Sequence, residues 1–178
     1  MTTLPATCIM FFGLGDGATD PESGEPLLAQ KMRASGVKVP TILDYTSQQS
    51  GIDMIANLPE QEIIFLCAIS CGANRLSIVA SNIKKRLIAG MYMIAPSYWC
   101  NAGCPDVPDN APNAWVFNGP WYLSLPPGLS SYAPKRVVGS TQPPIKRRWS
   151  QTWHPCDSDV VNVQDPILAD MRRLIAPA

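Results

Sequence analysis

The sequence has a single histidine, no excess charge of either sign, and no apolar run long enough to cross a bilayer. Fourteen Lys and Arg balance fourteen Asp and Glu among its 178 residues, so no bulk field draws the chain to nucleic acid or to an anionic membrane surface. Partners must be recognised locally, and neither a nucleic-acid nor a membrane partner is expected. The strongest apolar stretches, Ile63–Ile69 and Leu87–Ala95, fall far short of the roughly 20 residues a spanning helix needs. The opening MTTLPATCIMFF carries no basic leader and no small-residue cleavage site, which makes a cytoplasmic location the default expectation.

What is present is an ordinary globular composition: 46% hydrophobic and 16% charged residues, enough for one domain with its own core. We read residues 1–178 as that domain. The eighteen prolines concentrate between Pro96 and Pro155, which divides the chain into a regular part at 1–95, a proline-rich loop region at 96–155 and a C-terminal helix at 156–178.

The first part alternates strand and helix signals. Thr7–Phe12 is an apolar run ending at a Gly-rich turn, Pro26–Ser35 has helical spacing with a stop at Gly36, and Val37–Leu43 is a second strand. Ser50–Leu58 is a short helix and Glu62–Ile69 a buried strand. The turn Ser70-Cys71-Gly72 leads into a helix over Ala73–Ile83, and Leu87–Ala95 is a fourth strand. Ala114–Phe117, Arg136–Gly139 and Arg147–Trp153 are weaker strand candidates. Pro166–Ile175 closes the chain as an amphipathic helix, with Asp165 as its cap. This order predicts right-handed crossovers, a mostly parallel central sheet and a three-layer α/β/α sandwich.

A serine between a buried strand and a helix is exposed at the carboxyl edge of the sheet, where backbone N–H groups face any negative charge that forms. Ala68-Ile69-Ser70-Cys71-Gly72 places Ser70 in this way, although such a serine can also simply cap its helix. The first strand ends at the same edge in Phe12-Gly13-Leu14-Gly15-Asp16-Gly17, a source of a further N–H alongside that of Cys71. The lone histidine, His154, comes late in the chain.

The segments IIFLCAISCGANRLSIVAS, MFFGLGDG and HPCDSDVVNVQDPILADMRRLI together resemble the α/β-hydrolase superfamily, in particular its small cutinase- and lipase-like members. The resemblance implies Ser70 as nucleophile, His154 as general base, and Leu14 with Cys71 as oxyanion donors. It implies a small ester-like substrate, a carboxylic ester or thioester, and no cofactor. One departure stands out. The family places an acid after a late strand and before the histidine, whereas Arg136-Val137-Val138-Gly139-Ser140-Thr141-Gln142 has none. Asp106, Asp109 and Asp159 are the remaining carboxylates to consider.

The missing acid, the compact length and the prolines fit a rival expectation: a degenerate, non-catalytic structural or interaction protein with the same fold, for example a component of a virus or phage particle with protein assembly partners. The six cysteines also leave alternatives open. Buried thiols are the plain reading, whereas Cys100, Cys104, His154 and Cys156 are a loose zinc pattern, and Cys100 with Cys104 could form a local disulfide. Cys71 follows the nucleophile candidate and Cys156 lies close to the base candidate, which makes them a candidate redox pair.

Overall fold

The structure, a computed structural model, describes residues 4–13, 24–94, 96, 106–118, 146–149 and 160–177. In chain order the elements are β1 (Ala6–Phe11), α1 (Gly24–Ala34), β2 (Ile42–Leu43), α2 (Gln48–Ala56), β3 (Ile63–Ile69), α3 (Ser70–Ala73), α4 (Leu76–Asn82), β4 (Ile88–Ile94), β5 (Ala114–Asn118) and β6 (Lys146–Trp149). A π-helical turn at Val160–Gln164 runs into the last helix, α5 (Asp165–Ile175).

The unbroken apolar character of β1, β3 and β4 has a direct structural cause. Successive side chains on a strand point to opposite faces, so a strand covered on both faces needs an apolar residue at every position. Cys8, Met10, Phe65, Cys67 and Tyr92 meet one layer of helices, built from Leu28, Ala29 and Met32 of α1 and Ile167, Leu168 and Met171 of α5. Ile9, Phe11, Ile64, Leu66 and Met91 meet the other layer, with Ile55 of α2 and Leu76, Val79 and Ala80 of α4. Each large side chain buried in this way contributes about 1.5–3 kcal/mol. The result is a three-layer α/β/α sandwich with the expected parallel sheet at its centre.

The strand order is β2-β1-β3-β4-β5-β6, and every described pair is parallel. The chain leaves β1 for β2 on one side, then returns to place β3 on the other side of β1. The direction switches between the carboxyl ends of β1 and β3, the place where open α/β sheets hold ligands.

Helix α1 ends where Gly36 was expected to stop it. Gly36 takes φ 87°, and the Val37 N–H reaches back to the Met32 carbonyl at 3.1 Å, a glycine-terminated helix end that satisfies a late carbonyl.

Several expected boundaries differ for identifiable reasons. The strand expected over Val37–Leu43 reduces to a bridge at Lys38 and the two residues of β2. Pro40 has no N–H to give a ladder, and the Val39 carbonyl instead accepts from Arg33 Nε and Nη2 at 3.0 and 2.7 Å. The single helix expected over Ala73–Ile83 starts earlier and is broken between α3 and α4, where the Arg75 N–H closes on the Gly72 carbonyl at 2.9 Å, three residues back instead of four. Asp165 does not cap the last helix: the π-helical turn already precedes it, and the flanking residue is Gln164 in helical conformation. The strand expected within Arg147–Trp153 is β6 at Lys146–Trp149. Arg136–Gly139 lies outside the described residues.

Candidate active site

Ser70 is the first residue of α3 and follows directly on Ile69, the last residue of β3. Its φ of 51° is the only positive value at a non-glycine residue among the described residues. For an L-residue with a side chain this backbone region costs of order 1–3 kcal/mol and persists only where the surroundings impose it. Ile69, just before Ser70, is extended and makes no side-chain cap bond. Ser70 is half-buried.

The packing that imposes this turn is visible at Gly72. A Cβ at Gly72 would stand 2.8 Å from the Phe12 carbonyl oxygen and 3.1 Å from Phe11 Cβ, so the first turn of α3 lies against the backbone at the end of β1. The register agrees, because Phe11 pairs with Ala68, two residues before Ser70. Ala68 and Ala73, on either flank of the turn, are both fully buried. The glycine at this position is therefore needed for close approach.

The end of β1 meets the first turn of α3 at Phe12 and Gly72. The Phe12 N–H is already engaged by the Leu43 carbonyl at 3.0 Å, so a donor from the loop after β1 has to come from a later residue. Leu14, the expected donor, lies outside the described residues, as do His154, Asp159, Cys100, Cys104 and Cys156. Cys71 is 3% exposed and disulfide-bonded, whereas Cys8 and Cys67 are buried thiols. Burial pushes the Cys8 thiol well above its ordinary range.

Asp109 does not belong to this site. It is exposed in the turn before Asn110, whose carbonyl accepts from Ile88 at 2.7 Å, at the amino end of β4. Ser70 stands beyond the carboxyl end of the neighbouring β3, roughly 20 Å away along a seven-residue strand. This corrects the expectation of Asp109 as an acid partner. Asp106 is exposed three residues earlier.

A carboxylate that the sequence reading passed over does lie at this edge. Glu25, in the first turn of α1, is 6% exposed. Past its C-terminus α1 delivers Lys38 to the amino end of β1, where the Lys38 N–H donates to the Ala6 carbonyl at 2.9 Å; the helix therefore begins at the carboxyl side. The available sequence signal was Glu-Pro at a helix start, which reads as helix initiation rather than as chemistry.

Two other buried carboxylates are structural. Glu62 Oε1 accepts from the Thr7 hydroxyl at 2.6 Å and from Lys38 Nζ at 3.1 Å, and the Thr7 bond, aided by Lys38 against the effect of burial, holds its carboxyl below the usual range. Asp170 Oδ2 accepts from Tyr92 Oη at 2.9 Å, Asn113 Nδ2 at 2.6 Å and Trp115 Nε1 at 3.2 Å. Burial first, and then the Asp170 charge, push the Tyr92 phenol well above its ordinary range. Among the described residues no group of three or more His, Cys, Asp or Glu side chains is placed to hold a metal ion, and no helix is long and apolar enough to cross a membrane.

No protein-family model matches the chain, and no curated protein matches it in sequence. Solved structures do. Est1E from Butyrivibrio proteoclasticus superposes with a TM-score of 0.61 at 11% identity, over 99% of this chain and 90% of that one. An α/β serine hydrolase without lid from Xanthomonas campestris gives a TM-score of 0.57 at 15% identity, over 99% of this chain and 85% of that one. At these identities the likeness is one of fold, and it extends over nearly the whole chain.

Proposed function

We propose that the chain is a serine hydrolase that cleaves a carboxylic ester or thioester through an acyl-enzyme on Ser70. The observation that carries this reading is the positive φ of Ser70 at the switch point of the sheet, a strained strand-to-helix turn that lifts a hydroxyl out of the sheet edge. In this reading Ser70 Oγ attacks the acyl carbon while His154 takes its proton. The N–H groups of Cys71 and Leu14 hold the oxyanion. Collapse of the tetrahedral intermediate expels the alcohol or thiol, which receives the proton from the imidazolium, and water then repeats the sequence to release the acid. Asp106 and Asp159 are the candidates for steadying the imidazole. Likeness to a hydrolase without lid supports a small, exposed acyl substrate.

The test is labelling with a fluorophosphonate probe, beside hydrolysis of a short-chain p-nitrophenyl ester. We expect covalent modification of Ser70 and ester turnover, with both reduced by about a thousandfold or more in Ser70→Ala. A wild-type protein that takes no label at Ser70 would sink the enzyme reading and leave the fold as a scaffold for assembly.

A further inference from the structure

Two independent features meet at consecutive residues: a backbone conformation at Ser70 that its surroundings must impose, with φ 51°, and a disulfide at Cys71. Cys71 lies in the first turn of α3 and is 3% exposed. Cys8 and Cys67 remain thiols, so neither of these strand cysteines is the partner of Cys71. A strained turn relaxes when one of its restraints is released. Gly72 against Phe12 is one restraint, and the sulfur bridge is a second that acts on the very next residue.

We infer that the Cys71 disulfide is a positioning element of the Ser70 site, so that the reactivity of Ser70 depends on the thiol–disulfide state of the chain. This rests on the reading of Ser70 as a nucleophile. The controlling chemistry is exchange with a dithiol. Its thiolate attacks one sulfur of the bridge, the other protein sulfur leaves and takes up a proton, and the second thiol of the reductant resolves the mixed disulfide. Two electrons and two protons pass to the protein, the reductant becomes a cyclic disulfide, and Cys71 is left as a thiol.

The experiment compares the full chain as isolated, after treatment with dithiothreitol, and after reoxidation. The rate constant and the final amplitude of fluorophosphonate labelling at Ser70 are followed in each state, and disulfide-linked peptides are mapped by mass spectrometry. We expect a linked peptide containing Cys71, a labelling rate constant that falls about tenfold to a hundredfold on reduction and recovers on reoxidation, and an amplitude that stays near one label per chain. Cys71→Ser and Cys71→Val should both label at the reduced rate and ignore dithiothreitol. A purely structural role predicts the opposite split, with lower amplitude as molecules unfold and an unchanged rate constant for the remainder, and that result overturns the inference. So do equal rate constants in all states, or peptide maps without a Cys71 link. Absence of labelling in every state, by contrast, removes the nucleophile reading itself and this inference with it.

Discussion

The two ends of one parallel sheet are built to different rules. Toward the amino end, Glu62 is held by Thr7 and Lys38, and Asn110 Nδ2 donates to the carbonyls of Ala80, Ile83 and Arg86 at 2.9, 3.3 and 3.0 Å. The Tyr92 ring folds back over Gly90 on the same strand, since a Cβ at Gly90 would stand 2.5 Å from the phenol oxygen, and this aims the hydroxyl at Asp170. At the carboxyl end, Ser70 has a strained backbone and Gly72 is pressed against Phe12. One end lowers the energy of the fold, whereas the other stores strain in a tight turn. Sites that expose a reactive group commonly carry such strain, and the rest of the structure must offset it.

The contrast can be broken most severely at Asp170. Asp170→Ala leaves the buried Tyr92 hydroxyl and the part-buried Asn113 and Trp115 donors without this acceptor, and urea denaturation should show a loss of about 3 kcal/mol or more. A loss under about 1 kcal/mol would mean that the cluster does little for stability. Gly72→Ala tests the opposite end. Because the added methyl meets backbone rather than a flexible side chain, we expect a cost of about 1–3 kcal/mol in the same assay.

Ser70→Gly sharpens the point about strain. Glycine accepts positive φ without a Cβ clash, so Ser70→Gly should be more stable than Ser70→Ala by about 1 kcal/mol, while neither variant takes label. Equal stability of the two would show that the turn is not strained.

The smallest expected effect is a pH dependence at Glu62. Its carboxyl is held below the ordinary value in the fold, so the stabilisation it provides is present above the unfolded value of about 4.3 and is lost as pH falls through the folded one. The stability advantage of wild type over Glu62→Gln should therefore be constant near neutrality and shrink below about pH 4.3. An advantage that grows on acidification would contradict the assigned pairing.

Legibility in the sequence follows the same division. The order of strands and helices through Ile94 could be read because strands buried on both faces must be apolar throughout, and because Gly36 marks a helix end that needs positive φ. Ser70 could be located at the junction of β3 and α3 from the same patterns. Its own positive φ could not be read, since serine carries no preference for that region. The interruption of the second strand between Lys38 and Ile42 goes with Pro40, which the sequence shows, and with Arg33, a residue on another element, capturing the Val39 carbonyl. Asp109 passed as an acid by its place in the chain and failed by its place in space, held at the far end of the sheet through Asn110.

Hydrophobic periodicity and glycine placement are local signals, and they suffice for a layered α/β fold and a serine at a strand-to-helix junction. Tertiary packing alone sets the serine at the switch point between β1 and β3, leaves Gly72 no room for a Cβ and ties Cys71 by a disulfide. Those facts arise from the approach of segments far apart in the chain, and such approaches depend on how whole layers pack rather than on the pattern of any one element.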